Sequence, residues 1–360
     1  MKRIDHDKLR AAVQAVVTSA GSIGDEPGLV ADNLIYANLT GHDSHGVSIL
    51  PTYMDCVLNG ELKPNQHAEI ISDDGAMVVI DGRAGYGQVI GGEAMDIGIA
   101  RAREHGVCVM ATRRSFHLCR IGAWGERCAA AGLVSMHHVN MFGHFPLVAP
   151  FRGSDARMST NPYCCTLPAS SNNPAVVVDF ATSIIAMGKV RVARNKGQTL
   201  PEGILFDGDR QPSTDPNAMY AEPRGAIRSM GEHKGYCMGL MNELLAGAFT
   251  GSKTCRPETD HDNYTILNNM LSIIIDPSRL AGDGGWQHEF DAAIAYNRAS
   301  PPEHADQPIL IPGEPERQMM AERTREGIPL DDETWRQLLD AAHSVGLGKE
   351  EFLSLSGQPN

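Results

Sequence analysis

The period of the apolar residues changes twice along this chain, and that constrains its fold more than any single motif. Between Asp7 and Ser19, Leu9, Val13, Val16 and Val17 recur at helical spacing. A second helix opens at Asp25-Glu26-Pro27, runs through Val30, Leu34 and Leu39, and stops at Gly41. From Glu69 the texture becomes that of short buried strands alternating with helices. Strands are predicted over 76–80, 106–111, 133–139, 176–180 and 271–275, with helices over 92–104 and 125–131. A long helix follows from Gly235 through Leu245 to Phe249. The helical period then returns over 315–325 and 332–345, where Asp331 would cap the last helix and Leu330 would staple against Trp335. The stretches 281–286 and 300–307 read as exposed connectors. The order predicts an α/β fold with helices at both ends.

Length and charge bound the function. With 360 residues, of which 42% are apolar and 21% charged, the chain can bury a sizeable core spread over about two to three structural units. A net charge of −13 argues against nucleic acid or an anionic membrane as the main partner, since both demand basic patches. A small anionic substrate stays compatible, because a few local cations suffice. The start, Met1-Lys2-Arg3-Ile4-Asp5-His6-Asp7, has no apolar stretch of a secretory signal, and the longest apolar run, 175–187, is broken by Asp179. A cytoplasmic chain without a membrane span is expected. The 8 cysteines show no regular framework and read as free thiols.

Two segments carry candidate chemistry. Gly41-His42-Asp43-Ser44-His45-Gly46-Val47 sets hydroxyl and imidazole groups just beyond a helix end, and Arg114-Ser115-Phe116-His117-Leu118-Cys119-Arg120 sets a histidine just past a strand. Imidazole exchanges a proton near neutral pH, as carbonyl/alcohol chemistry requires. Arg120 can bind a carboxylate in bidentate fashion. A proton donor beside a carboxylate clamp is what reduction of a 2-oxo acid needs. Three other readings compete. Gly85-x-Gly87-x-x-x-Gly91 follows a strand and leads into a helix, close to a dinucleotide fingerprint of a doubly wound fold, or it is a tight strand-to-helix turn. His42, His45 and Asp43, or His137, His138 and His144, could offer metal ligands for a hydrolase or lyase, although they sit in a loop and at a strand end. A nucleotide-binding sensor without catalysis is the third.

The same residues resemble a known family. Gly41–Val47 with Pro51 and Tyr53, Ser159-Thr160-Asn161-Pro162, Asp179-Phe180-Ala181-Thr182-Ser183 with Gly188-Lys189, Thr214-Asp215-Pro216 and His233-Lys234-Gly235-Tyr236 resemble, in that order, the motifs of the type 2 malate/L-lactate dehydrogenases. That family includes malate, lactate, sulfolactate and ureidoglycolate dehydrogenases and some cyclic-imine reductases. Cys119-Arg120-Ile121-Gly122, Glu232–Gly235 and Ile311-Pro312-Gly313-Glu314 are similar to its bacterial hydroxycarboxylate dehydrogenase subgroup of the B type. The resemblance implies the malate/L-lactate (sulfolactate) dehydrogenase-like fold, with a cofactor domain that is not of Rossmann type and a helical domain drawn from both termini. Residues 1–70 and 315–360 would be helical, 71–119 and 246–314 a substrate and interface region, and 120–245 the cofactor-binding domain. It implies NAD or NADP as hydride carrier, no metal, and a homodimer. His117 would be the proton donor and acceptor, Ser44 would face the reaction, and Tyr53 would contact substrate. His45, Cys119, Arg120, Ile121, Val177, Val178, Asp179, Phe180, Ala181, His233, Lys234, Asn268, Ile311, Pro312, Gly313 and Glu314 would bind the cofactor.

One departure stands out. Many members of the family carry an arginine two residues beyond the valine of the His-Gly-Val segment, where it holds the substrate carboxylate; here that position is Ile49. A small diacid would lose a cation and meet an apolar wall. The expected substrate is a 2-oxo acid with a bulky or aromatic side chain, lying against Ile49, with Arg120 as candidate carboxylate partner. Arg120 cannot easily serve that carboxylate and a cofactor pyrophosphate together, so its two assignments compete.

Overall fold

The two ends of the chain fold together. In the computed structural model, which describes residues 2–259, 265–282 and 285–359, strand β1 (Lys2–Ile4) pairs antiparallel with β12 (Ile328–Leu330). Helices α1 (His6–Ser19), α2 (Glu26–Leu39) and α3 (Leu50–Leu58) pack with α10 (Glu314–Glu326), α11 (Asp332–Ser344) and α12 (Lys349–Leu355). The stripe Leu9, Val13, Val16 and Val17 is fully buried with Val30, Leu34, Leu330, Trp335 and Leu338. Burying each such side chain contributes roughly 1.5–3 kcal/mol before conformational entropy is charged against it. Asp331 caps α11, accepting from the Thr334 amide at 2.8 Å. Helix α3 is not anticipated in the sequence because of Pro51, which lies in its first turn, where a missing N–H costs nothing.

A seven-stranded sheet fills the middle, in the order β2 (Glu69–Asp74), β3 (Met77–Asp81), β4 (Val107–Phe116), β11 (Leu267–Ile275), β5 (Val134–Phe142), β6 (Tyr163–Leu167) and β7 (Val176–Phe180). Only β3 and β4 are parallel, joined by α4 (Gly87–His105); every other pairing is antiparallel. The doubly wound parallel sheet weighed in the sequence is therefore absent. Helix α4 and α5 (Gly122–Ala130) cover one face, where Met95, Trp124 and Cys128 meet Ile80, Met110 and Ile274. Helix α4 starts at Gly87, ahead of the predicted position, because Gly91-Gly92, poor helix formers, interrupt the pattern just after the buried Val89 and Ile90.

Beyond the sheet, α6 (Met187–Asn195) packs against a small sheet of β8 (Leu205–Phe206), β9 (Pro212–Ser213) and β10 (Ala226–Ile227). Helix α7 (His233–Asn242) continues as a wider π-helical turn over Glu243–Phe249, so the long predicted helix forms, with a change of pitch. Helices α8 (Ser278–Ala281) and α9 (Gly285–Arg298) bury no side chain, which is why periodicity did not find α9 and why part of it read as connector; residues 283–284 lie outside the described residues. None of the 8 cysteines forms a disulfide. No helix among the described residues is long and apolar enough to cross a membrane. Among the described residues three hydrophobic cores result: one shared by the termini, one under the sheet, and one in the α6 unit.

Candidate active site

The cores meet at a cavity. Its walls take Ile49 and Cys119 from the terminal core, Ile121 and Val139 from the sheet core, and Met141, Leu147 and Met219 from the α6 core. The volume is about 260 Å³. Ser44, His45, His117 and Arg191 are among its polar lining residues.

His117 follows directly on β4 and is clamped from both sides. The Leu118 amide donates to Asn268 Oδ1 at 2.8 Å, and Trp124 Nε1 donates to the Leu118 carbonyl at 2.9 Å. From below, the first turn of α4 presses on the His117 carbonyl. A Cβ at Gly87 would lie 2.1 Å from that oxygen, so only glycine fits. The glycine-rich turn thus serves close backbone packing.

The ring is held as firmly. Tyr53 Oη lies 2.8 Å from His117 Nδ1, and Gln88 Nε2 donates to Tyr53 Oη at 3.0 Å. The phenol oxygen has two lone pairs, so it can accept from His117 Nδ1–H as well as from Gln88. In that arrangement a neutral His117 carries its hydrogen on Nδ1 and presents the lone pair of Nε2 to a ligand. His45 stacks on His117 at 5.6 Å between centroids, and its Nδ1 lies 2.8 Å from Ser44 Oγ. Burial, with the nearby Arg191 charge, holds His117 down at about 4, and burial with the His117 neighbour drives His45 well below its ordinary value. Both rings are neutral at neutral pH. Burial raises the Tyr53 phenol and pushes the Cys119 thiol up to about 12, so neither ionises. Cys119 Sγ donates instead to the His45 carbonyl at 2.8 Å, a packing role.

Ser44, His45, Ile49, His117, Cys119, Ile121 and Asn268 all line the cavity, and Tyr53 stands directly behind His117. Arg120 is not brought there. The turn at Cys119, with φ 63°, sends its guanidinium to the other side, where Glu126 holds it bidentately at 2.8 and 2.9 Å, Asp179 lies 3.6 Å away and Tyr36 lies beneath. Its charge is matched by carboxylates of its own chain, so the expectation that it clamps a substrate carboxylate does not match its placement.

A second group lies off the cavity, around the end of β7. Asp179 accepts from the Gly122 amide at 2.8 Å, tying Val177, Val178, Phe180 and Ala181 to the Cys119–Ile121 turn. The Val177 amide donates to the Pro312 carbonyl at 3.1 Å. Glu314 opens α10, accepts from the Ile311 amide at 2.8 Å and pairs with Arg298, while Gly313 has φ 95°. His233 and Lys234 begin α7 and are exposed.

The histidines weighed as metal ligands are dispersed. His137 is buried between Ser272 and Ser135 Oγ at 2.9 and 3.0 Å, His138 meets Asn242 at 2.8 Å, and His42 lies 3.4 Å from Glu316. Among the described residues no three His, Cys, Asp or Glu side chains converge as a metal set would require. Sequence reasoning missed Gln88 and Arg191. Arg191 did leave a signal, lying three positions past Gly188 and so on the same helix face. Gly188 packs on Ser44 so closely that a Cβ would come within 2.4 Å of Ser44 Cβ. The cavity fits a nicotinamide ring, which needs apolar walls and a proton-transfer group at one edge.

A mixed sheet with a helical unit from both termini, and a neutral imidazole pair on an apolar cavity, defines a class apart from Rossmann dehydrogenases. The family model for malate/L-lactate dehydrogenase matches residues 4–339, and the chain belongs to that family. Membership places it among oxidoreductases that act on 2-hydroxy acids. It is 44% identical to hydroxycarboxylate dehydrogenase B of Escherichia coli (strain K12), over 99% of this chain and 98% of that one. A solved structure from E. coli superposes with a TM-score of 0.94 at 42% identity, covering 99% of this chain and 98% of that chain. Sulfolactate dehydrogenase from Methanocaldococcus jannaschii does so at 0.83 and 28%, covering 97% and 99%.

Proposed function

We propose that the protein moves a hydride between a pyridine nucleotide, NAD or NADP, and a 2-oxo acid to give the 2-hydroxy acid, and that it prefers an acid with a bulky or aromatic side chain. The observation that carries this is His117: half-buried, neutral, with Nδ1 engaged by Tyr53 and Nε2 free beside an apolar cavity. When bound, the reduced nucleotide supplies the hydride to the carbonyl carbon. His117, protonated on Nε2, gives the oxygen its proton in that direction and is left neutral; the neutral ring takes the hydroxyl proton onto Nε2 in the other. Tyr53 and Gln88 fix the ring, and Ser44 orients His45 beside it. His45, Cys119, Ile121 and Asn268 would flank the nicotinamide. Val177, Val178, Asp179, Phe180, Ala181, His233, Lys234 and the Ile311–Glu314 turn would hold the rest, with Arg120 supporting Asp179.

Ile49 and the Met141, Leu147 and Met219 walls support the preference for an apolar side chain. The terminal helices would form one unit of a homodimer, and the regions 71–119 with 246–314 and 120–245 would carry substrate and cofactor. The test is spectrophotometric: phenylpyruvate, pyruvate and oxaloacetate, each with NADH and NADPH, followed at the reduced nicotinamide band. Activity is expected on all or some, highest on phenylpyruvate. No oxidation of either nucleotide by any 2-oxo acid overturns the reading, and a clear preference for oxaloacetate removes the bulky side chain from it.

A further inference from the structure

We infer that Arg191 binds the substrate carboxylate, and that it limits the enzyme to monocarboxylic 2-oxo acids whose remaining side chain is apolar. This rests on the hydride-transfer reading above and deepens it.

The charge balance of the cavity carries the argument. Among the described residues that line it there is no aspartate or glutamate, although the chain as a whole is acidic at −13. His45 and His117 are neutral. Two arginines remain. Arg224 has a partner, since its Nε lies 2.8 Å from Glu222 Oε1 and its guanidinium stacks on Phe145 at 3.6 Å. Arg191 has no carboxylate partner among the described residues; one amino group donates to Ser48 Oγ at 3.1 Å, a neutral acceptor. A guanidinium set into a cavity wall without a counter-charge is costly, and burial lowers its proton affinity. An anionic ligand arriving there removes that cost, and a carboxylate matches the planar fork of donors.

Position makes the ligand a 2-oxo acid. In such an acid the carboxylate carbon is bonded to the carbonyl carbon, so its cation must stand beside the proton donor. Arg191 does. Its charge is felt at both His117 and His45, and its bond to Ser48 sets it beside Ile49 and one turn of α6 from Gly188, which packs on Ser44. The first turn of α6 also opens on the cavity through Ala186, Met187 and Gly188 with no side-chain cap, adding a helix N-terminus of favourable sign. Away from this corner the walls are Ile49, Val139, Met141, Leu147 and Met219. A second carboxylate would be buried against carbon and sulfur, with the one other arginine already engaged.

The experiment compares phenylpyruvate with its neutral amide, phenylpyruvamide, on the full-length protein and on Arg191→Met and Arg191→Lys. The wild type should favour the acid. Arg191→Met should lower kcat/KM for the acid on the order of 10²–10³-fold, chiefly through KM, and leave the amide nearly unchanged. Arg191→Lys should restore part of the acid preference. A purely structural arginine would lower both substrates alike. If the wild type reduces phenylpyruvate and Arg191→Met keeps the wild-type ratio of acid to amide, the inference falls while the hydride-transfer reading stands. If the wild type reduces no 2-oxo acid, that reading falls first. Arg191→Gln serves the same comparison should the methionine variant not fold.

Discussion

Replacing Gly87 by alanine should cripple turnover without altering any side chain that meets a ligand. The new Cβ would lie 2.1 Å from the His117 carbonyl oxygen, 2.5 Å from its carbon and 2.7 Å from the Phe116 carbonyl oxygen. All three are backbone atoms, so no flexible side chain can swing away. Restoring an ordinary separation of roughly 3.5 Å requires a movement of more than about 1 Å. Two ways of yielding are open, and both reach the site. If α4 slides outward, it takes Gln88 away from Tyr53 Oη. If the end of β4 retreats, it takes His117 with it. Overpacking of this kind costs about 1–3 kcal/mol of stability. A misplacement of about 1 Å in a reacting group costs on the order of 10²-fold in rate. The assay is kcat for phenylpyruvate reduction alongside the midpoint of urea unfolding. Gly92 is the control, since it lies in the same helix and a Cβ there meets nothing within 4 Å. Gly92→Ala should be active and no less stable, with a gain of up to about 1 kcal/mol from helix propensity. If Gly87→Ala keeps wild-type turnover and stability, or if the two variants behave alike, the close contact does not position His117.

His117→Ala should cut turnover by roughly 10²–10⁴-fold and leave nucleotide affinity, read by fluorescence titration, near normal; unchanged turnover would remove the imidazole from the mechanism. Among the described residues, the groups around His117 are Tyr53 from α3, Gln88 from α4 behind it, Cys119 beyond β4, His45 before α3 and Arg191 from α6, and none is a carboxylate. Since this shell holds His117 at about 4, kcat/KM for hydroxy-acid oxidation should stay level from about pH 8 to pH 5 and fall only below that, whereas a limb near pH 6.5 would contradict the assignment. His117 at about 4 and His137 at about 3 are both held below their ordinary value of 6.5. The unfolded chain therefore takes up protons first: their contribution to stability is complete above pH 6.5 and is lost as pH falls toward 4, so Tm should drop between pH 7 and 5. A Tm that rises over that interval would contradict the burial of these rings. Ile49→Arg should raise kcat/KM for oxaloacetate relative to phenylpyruvate; a variant that merely unfolds would mark Ile49 as packing alone.

Much of this architecture was legible because burial imposes a period on the sequence. Helices α1, α2 and α11 each bury one face, and the cap at Asp331 and the stop at Gly41 were readable from residue type. Elements without a single buried stripe were not. Every residue of β2 is exposed, α9 buries nothing, and α3 begins with a proline that reads equally well as a break. At the site, Ser44, His45, His117 and Asn268 were found through motifs, and the structure gathers them on one cavity. Arg120 illustrates the limit. Adjacency to His117 suggested a shared ligand, yet the positive φ at Cys119 turns it toward Glu126 and Asp179, and no local pattern announces such a turn at a cysteine. Gln88 and Arg191 are joined to the site only by tertiary contact. One reaches it through Tyr53 and the other across Ser48, from segments far apart in sequence.

The place of β11 has a consequence for how the molecule is made. Leu267–Ile275 lies between β4 and β5, so those two earlier strands never hydrogen-bond to each other. On the ribosome, everything up to residue 259 can emerge while both still present open ladder edges to solvent. Closing the gap is a long-range event of the kind that slows folding, and until it happens the edges invite pairing with other chains. Asn268, which clamps the backbone beside His117, arrives on that same strand. The nascent chain acquires its reactive centre only with the last strand of its sheet, and a chain cut short before it should be sticky as well as inert.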